Sequence, residues 1–216
     1  GNLVDVASSH NATASTGHSI GSVFGDFNDD GLIDIFAGNF SHPGQPQSRF
    51  LKNGGADVDY RFTNMGTGGV SWQESYASPT AGDIDNDGDL DVYLIQGQVL
   101  GSNKTLDDAV PSPRSLSEPQ TDRLYRNDLK RAADGSPILH FTDVTAASGL
   151  SERSYGMGVT TGDIDNDGWV DLYRTRHGPN QLFHNNGDGT FTDVSERSQT
   201  NDSAWGMSAS FADIDR

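Results

Sequence analysis

The sequence predicts an all-β protein made of β-propeller blades, each with four antiparallel strands. One observation is an acidic loop that recurs three times in complete form. Another is the motif F-T-D-V at residues 141–144 and 191–194, with relaxed copies at 4–6 and 62–65. Each copy of this motif ends 18 to 20 residues before the next acidic loop. Four short strands in a repeat of roughly 40–50 residues are the unit of a propeller blade.

The acidic loops carry side-chain oxygens at alternate positions, with a glycine at position 6 where a sharp turn needs one. Ca²⁺ takes six to eight oxygen ligands at about 2.3–2.6 Å, and position 7 of such loops usually offers its backbone carbonyl. Positions 1, 3, 5, 7 and 9 therefore predict three calcium sites. The predicted ligands are Asp26, Asn28, Asp30, Leu32 and Asp34; Asp83, Asp85, Asp87, Asp89 and Asp91; and Asp163, Asp165, Asp167, Trp169 and Asp171.

A fourth copy of the loop begins with Asp213 and Asp215 and is truncated, so it predicts an incomplete site. An EF-hand would need a bidentate Glu at position 12 between two helices. Position 12 is Ala37, Leu94 or Arg174, and apolar strand-like residues flank the loops, so each loop is predicted to cap a β-hairpin. The alternative is a metal-free turn rich in Asp, Asn and Gly. Turn chemistry, however, does not require the acidic residue at position 9.

The predicted repeats cover about residues 18–65, 75–144 and 155–194, with a partial repeat at 205–216, in one propeller region over 1–216. The most regular copy predicts strands at 157–161, 170–174, 181–184 and 190–194, since Asn-Gly and Asp-Gly favour hairpins. The segment 4–6 is predicted as the last strand of a blade, and 207–213 as the first strand of another. An insertion at 97–122 is either a surface excursion or a projecting binding loop.

The composition restricts the classes of partner. The formal charge is −17, which argues against nucleic acid, and no apolar run is long enough for a transmembrane segment. Calcium sites of modest affinity fill where calcium is abundant, which favours a secreted or cell-surface protein. The sequons at Asn11, Asn39, Asn103 and Asn201 fit a glycoprotein.

A recurring position eight residues before the loops carries Tyr155 and Trp205, and Trp72 lies near the equivalent place. These three aromatic residues are candidate ligand-binding residues at the mouth of a central channel. The other interpretation is packing between blades.

These motifs resemble the FG-GAP, or VCBS-type, repeats of integrin-α-like β-propellers. The resemblance is carried by G-D-F-N-D-D-G-L-I-D, G-D-I-D-N-D-G-D-L-D and G-D-I-D-N-D-G-W-V-D, and N-Q-L-F-H-N-N-G-D-G-T-F-T-D-V is similar to the cartilage-acidic-protein branch. It implies a calcium-stabilised extracellular propeller that binds proteins or glycans. It also implies about seven blades per ring. Three full repeats with partial ones at each end are then expected to belong to a larger ring or a multi-chain assembly.

The predicted function is a non-enzymatic, calcium-binding adhesion module, because no nucleophile–base set and no G-x-S-x-G elbow is present. Two alternatives stay open. One is a lyase-like enzyme acting on acidic polysaccharides, with His177 or Tyr155 as base. The other is a structural subunit that self-assembles through open blade edges.

Overall fold

A computed structural model describes residues 4–13, 19–39, 47–70, 76–96, 121–152 and 154–214. The predicted fold class is confirmed: these residues form three four-stranded antiparallel sheets. Each sheet is a meander in which consecutive strands are neighbours, as in a propeller blade. The acidic loops join the first two strands of each sheet, so each loop caps a hairpin as predicted.

The strands of each sheet are hydrogen-bonded to one another in chain order, from the first named to the last. The strands of the first sheet are β1 (Ser19–Gly25), β2 (Asp34–Asn39), β3 (Arg49–Asn53) and β4 (Phe62–Asn64). Those of the second are β5 (Tyr76–Gly82), β6 (Asp91–Gln96), β7 (Arg123–Asn127) and β10 (Phe141–Asp143). Those of the third are β11 (Gly156–Gly162), β12 (Asp171–Arg176), β13 (Gln181–Asn185) and β14 (Phe191–Asp193).

Three small elements were not anticipated from the sequence. A two-stranded hairpin, β8 (Lys130–Arg131) and β9 (Pro137–Ile138), projects between β7 and β10. A single helical turn, α1 (Thr145–Ser148), follows β10, and a 3₁₀ turn covers Ala56–Val58. Short polar segments of this kind carry no periodicity that would separate them from loops.

The apolar cores lie between consecutive sheets. Strand β6 shows why, because its side chains alternate: Val92 and Leu94 enter the core shared with the first sheet, and Tyr93 enters the core shared with the third. The first core is built from Phe27, Phe36, Phe50, Val70, Val92, Leu94, Tyr125 and Phe141. The second is built from Ile84, Tyr93, Leu124, Leu150, Leu172 and Phe183.

A buried ion pair joins the second and third sheets. Arg174 on β12 is completely buried and contacts Asp122, the buried residue that directly precedes β7. Gln181 and Glu152 accept further hydrogen bonds from the Arg174 guanidinium. Since a buried charge is tolerated only with partners, this set fixes the end of the predicted insertion against the third sheet. Of the insertion itself, residues 97–120 lie outside the described residues.

The two end segments differ from their prediction. Neither residues 4–6 nor residues 207–213 form a strand. Residues 207–211 nevertheless lie against β11: a Cβ on Gly158 would meet the Met207 carbonyl, and one on Gly162 would meet the Phe211 ring. The physical reason for the difference is that a strand is completed by hydrogen bonds to a neighbour, and no strand among the described residues pairs with either segment.

Candidate metal centres

The three acidic loops adopt the same conformation, which is set by their first residue. In each loop the position-1 carboxylate accepts hydrogen bonds from the backbone amides of positions 5 and 6, at 2.7–3.2 Å. The position-5 carboxylate accepts one from the amide of position 7. These bonds are local, so the loop closes around its own side chains. The residues in position 1 are Asp26, Asp83 and Asp163.

A left-handed turn at positions 4 and 6 lets the loop close. Gly88, in position 6 of the second loop, has φ 97° and nothing within 4 Å of a Cβ built on it. The glycine is therefore required by its backbone angle and not by crowding. Position 4 also has positive φ, and it is occupied by Asn or Asp, which tolerate this region better than other residues. The position-4 residues are Asp29, Asn86 and Asn166.

The position-9 carboxylates form the buried floor of each site. Asp34, Asp91 and Asp171 each begin the second strand of a sheet and are at most 2% exposed. In the second loop, Asp91 accepts hydrogen bonds from the amides of Ile84 and Asn127 at 2.9 and 2.7 Å. Asp171 has the same pattern with Ile164 and Asn185. A carboxylate is thus held by one backbone amide of the loop itself and one of the third strand of the sheet.

The carboxylates converge in the second and third loops. One oxygen from each of Asp83, Asp85 and Asp91 lies within 4.8 Å of the others, and the same holds for Asp163, Asp165 and Asp171. Two ligands at about 2.4 Å from one ion are at most about 4.8 Å apart, so each trio can reach a single Ca²⁺. Asp85 Oδ1 is also buried without a hydrogen-bond partner. The residues present therefore fit a hard cation at these two loops.

The electrostatics of the metal-free loops are unfavourable for carboxylates. Burial raises the pKa of Asp91 to about 7, although backbone amides offset part of the effect. Burial raises the pKa of Asp34 to about 6 and also raises the pKa of Asp171. For Asp85, burial and the neighbouring Asp87 carboxylate raise the pKa. Burial raises the pKa of Asp89 as well, with Asp87 adding to it. A bound cation would relieve both causes.

The first loop differs because its charges already have partners. The side-chain amide of Asn28 donates to Asp34 Oδ2 at 2.7 Å, and Lys52 Nζ lies 2.8 Å from Asp30 Oδ2. Asn28 Oδ1 is buried and has no partner, so it is the oxygen left for a metal. No trio of converging carboxylates is present in this loop among the described residues.

The basic residues next to these loops were not predicted from the sequence. In each sheet the last two residues of the third strand are a basic residue and an Asn: Lys52-Asn53, Arg126-Asn127 and His184-Asn185. The basic side chain faces the loop: Arg126 Nε lies 3.9 Å from Asp85, and His184 Nε2 lies 3.0 Å from Asp165 and 3.6 Å from Asp167. An alignment of the three third strands would have exposed this dipeptide.

The Asn of this dipeptide connects neighbouring blades. Asn127 Nδ2 donates to the carbonyl of Phe27, which is position 2 of the preceding blade's loop, at 3.0 Å. Asn185 Nδ2 makes the same bond to Ile84 at 2.8 Å. Asn53 donates within its own sheet, to Ile33. The second and third loops also touch, since Asn86 donates to the carbonyl of Gly168.

The remaining predicted site residues lie in different places. Leu32, Asp89 and Trp169 occupy position 7, and Trp169 also packs against Gly187. Asp213 lines the same surface cavity as Asp163 and Asn166 of the third loop, while Asp215 is outside the described residues. Tyr155 and Trp205 both contact His177, with ring centroids 6.3 and 5.4 Å away. Trp72 lies outside the described residues.

The acidic loops lie within segments that match a known repeat family. The FG-GAP-like repeat family profile matches residues 26–94 and 163–216, which together exceed half of the chain and contain all three complete loops. The chain belongs to the FG-GAP-like repeat family. The suspected resemblance is thereby confirmed.

Curated relatives give the same assignment. The chain is 29% identical to cartilage acidic protein 1 of Xenopus tropicalis over 172 residues, which are 80% of the chain and 23% of that protein. It is 35% identical to cartilage acidic protein 1 of Homo sapiens over 97 residues, or 44% of the chain and 15% of that protein. The chain thus spans less than a quarter of the length of these relatives. Within its described residues, no helix is long and apolar enough to cross a membrane.

Proposed function

We propose that the chain is a non-enzymatic, calcium-stabilised β-propeller module, secreted or at a cell surface, that binds an extracellular protein or glycan. The observation that carries the proposal is the convergence of Asp83, Asp85 and Asp91, and of Asp163, Asp165 and Asp171, in which Asp91 and Asp171 are the buried members. Calcium would supply the positive charge that these trios lack. The family assignment supports the propeller, and calcium abundance outside cells supports the location.

The chain's own residues would hold the ion from three sides. Position-1 and position-3 carboxylates face it from the loop, the position-9 carboxylate faces it from the strand, and the loop amides orient these groups. Since the loop is anchored through position 2 in the core between blades, as Phe27 and Ile84 are, ordering the loop also orders the blade interface. The ion would therefore rigidify the scaffold that presents a binding face.

Direct calcium binding tests this proposal. Isothermal titration of the metal-free chain with CaCl₂ is expected to give binding at the second and third loops, with the first loop weaker. The double variant Asp85→Asn, Asp165→Asn removes one carboxylate from each trio and is expected to abolish the tighter binding. Binding of wild type and double variant with equal affinity, or no heat of binding in millimolar calcium, would overturn the proposal.

A lyase-like enzyme is the second candidate, because Tyr155 and His177 lie together and Arg176, the last residue of β12, directly precedes His177. Arg176 is, however, paired with Glu152 at 3.3 Å and donates to the carbonyl of Pro179, which satisfies its guanidinium internally. Incubation with oligogalacturonate tests this candidate through the ultraviolet absorbance of an unsaturated product. Turnover that is lost in His177→Ala would favour the enzyme over the binding module.

A further inference from the structure

We propose that the third acidic loop binds Zn²⁺ through Asp165, Asp167 and His184, next to the calcium site of the same loop. This inference rests on the proposed calcium function and extends it, because the two sites would share Asp165. The residue that points to zinc is His184 on β13, since calcium binding by the loop gives an imidazole ring no role.

His184 faces two carboxylates of the loop with one ring nitrogen. Its Nε2 lies 3.0 Å from Asp165 Oδ2 and 3.6 Å from Asp167 Oδ2, and one ligand atom from each of the three residues lies within 4.8 Å of the others. Zn²⁺ binds nitrogen and carboxylate oxygen at about 2.1 Å, so the ligand atoms of a tetrahedral site are about 3.4 Å apart. The two measured distances lie on either side of that value, so a zinc ion fits with small side-chain shifts.

A hydrogen bond accounts for only part of this arrangement. A distance of 3.0 Å suits a hydrogen bond between His184 and Asp165, but 3.6 Å is too long for one to Asp167. A ring nitrogen carries at most one proton, so it cannot serve both carboxylates equally. A metal ion between the three groups would bind all of them at once.

The donor set favours zinc over calcium. Ca²⁺ is a hard cation that takes oxygen ligands, whereas imidazole nitrogen suits Zn²⁺ and other first-row transition metals. Zinc sites with three protein ligands keep a water molecule in the fourth position. The side chains of Asp165 and Asp167 are 47% and 37% exposed, which leaves room for the ion to enter and for that water to bind.

The other two sheets have no metal ligand at the position of His184. Lys52 occupies it in the first sheet, with its Nζ 2.8 Å from Asp30, and Arg126 occupies it in the second, with its Nε 3.9 Å from Asp85. Both side chains are cations that donate hydrogen bonds and offer no lone pair. The third loop therefore has a metal-binding group where the other loops have a permanent positive charge.

The charge balance of the third loop gives a separate reason for a second cation. The carboxylates at positions 1, 3, 5 and 9 carry four negative charges, of which one Ca²⁺ would balance two. The second loop has the same four carboxylates, and the guanidinium of Arg126 lies beside them. A Zn²⁺ ion at His184 would balance the two charges that remain in the third loop.

The calcium and zinc sites can be occupied together. The calcium trio is Asp163, Asp165 and Asp171, so it shares only Asp165 with the zinc trio. A carboxylate has two oxygens, and metal ions in two-metal sites lie about 3.5–4 Å apart. Asp171 is completely buried, whereas Asp167 and His184 are partly open to solvent. Zinc would therefore occupy the outer of the two sites.

The test measures zinc binding to the calcium-loaded chain. ZnCl₂ is titrated by calorimetry in millimolar CaCl₂, and a fluorescent indicator detects any calcium that is released. Co²⁺ is the spectroscopic probe, because its visible absorption bands are intense when it has four ligands. One Zn²⁺ per chain is expected to bind without release of calcium. Co²⁺ is expected to give the intense bands and to lose them when Zn²⁺ is added.

Matched variants locate the zinc site. His184→Gln keeps a side chain that can hydrogen-bond to Asp165 but removes the imidazole, so it is expected to weaken zinc binding at least about tenfold and to abolish the cobalt bands. His184→Arg introduces the residue of the second sheet and is expected to lose zinc equally. His177→Gln is the control, since His177 is exposed and lies at the opposite end of the third sheet. Melting curves confirm that each variant is folded.

The outcomes separate the zinc site from the proposed function. Binding of less than one Zn²⁺ per chain, equal zinc affinity in wild type and His184→Gln, or an equal loss in His177→Gln would each overturn it. Release of calcium in step with zinc binding would also overturn it, because zinc would then be replacing calcium. The effect of calcium on the melting temperature is measured on the same variants without zinc. If calcium stabilises the chain while zinc does not bind, only the zinc site fails.

Discussion

The first and second acidic loops share their spacing but differ in how their charge is balanced. In the first loop, Asn28 donates to Asp34 and Lys52 pairs with Asp30, so the loop supplies its own positive partners. In the second loop, Asp85 takes the place of Asn28, and its Oδ1 is buried without a partner. Arg126 lies 3.9 Å from Asp85 but donates to Asp128 at 2.8 Å.

From this difference we predict that the second loop depends on calcium more than the first, although the two loops share their spacing. A single exchange of amide for carboxylate at position 3 converts a hydrogen-bond donor next to the position-9 carboxylate into a like charge. The first loop has internal partners for its charges, whereas the carboxylates of the second loop repel one another, and we expect an external cation to relieve that repulsion.

Calcium removal is expected to have the largest effect, because it leaves several buried or crowded carboxylates uncompensated. Excess EDTA should lower the melting temperature of the chain by on the order of 10 °C, as for two or more sites filled well above their Kd. Differential scanning calorimetry measures the change. Added CaCl₂ should restore the melt, and MgCl₂ should restore much less. An identical melt with and without EDTA would contradict the metal sites.

Exchanging position 3 between the loops is expected to have the next largest effect. Asn28→Asp removes the donor to Asp34, so in EDTA it should cost about 1.5–3 kcal/mol, the range for a hydrogen bond to a charged group. Asp85→Asn should lower the melting temperature in calcium and leave it unchanged in EDTA. The stability of this variant would therefore depend less on calcium. Chemical denaturation with and without calcium measures both. The comparison fails if the two substitutions change calcium dependence in the same direction.

The Asn residues that end β7 and β3 differ in whether their side chains bond across the blade interface. Asn127→Ala leaves the buried Phe27 carbonyl without its donor across the interface, so it should cost about 1–3 kcal/mol. Asn53→Ala should cost less, because Asn53 donates within its own sheet to the exposed Ile33. The free energy of unfolding in calcium is the measurement. Equal losses would show that the bond between blades adds nothing beyond the local one.

Position 7 of the second loop is expected to give the smallest effect. Asp89→Ala removes a side chain that stands where the other loops have Leu32 and Trp169, and this position is expected to contribute its carbonyl. Calcium affinity should change by less than about threefold and stability by less than about 0.5 kcal/mol. Asp87→Ala is the matched comparison and should weaken calcium binding clearly. A loss in Asp89→Ala as large as that in Asp87→Ala would show that its side chain is a ligand.

Much of the fold was predictable because its signals are local. The hairpins under the loops follow from Asp26, Asp83 and Asp163 accepting amides four and five residues ahead, and from glycines with positive φ. Period-2 alternation along β6 likewise assigns its side chains to two faces. Bonds over a few residues need no tertiary partner, so residue type and spacing specify them.

The partners across blades were decided by the tertiary structure. Asn127 meets Phe27 from 100 residues away, and Arg174 meets Asp122 from 52 residues away. In the sequence, Arg174 indicates only that the loop is not an EF-hand. In the structure, Arg174 is fully buried and forms an ion pair with Asp122. Burial at Asn39 was likewise decided by the tertiary structure, since this residue of a predicted sequon is completely buried and donates to the Gln47 carbonyl. No spacing rule applies to contacts that form only when separate sheets pack face to face.

The acidic loops were predictable from local sequence, whereas the contacts among Tyr155, His177 and Trp205 depend on the tertiary structure. Repeated spacing was enough to locate each loop and assign its calcium-binding positions as a prediction, because all of its candidate side-chain ligands lie within nine consecutive residues. Tyr155, His177 and Trp205 come from three separate segments, and only the packing of the β12–β13 turn against residues 202–206 brings His177 between the other two. Burial then decides which polar group is left without a partner, because it removes the water that would otherwise satisfy that group.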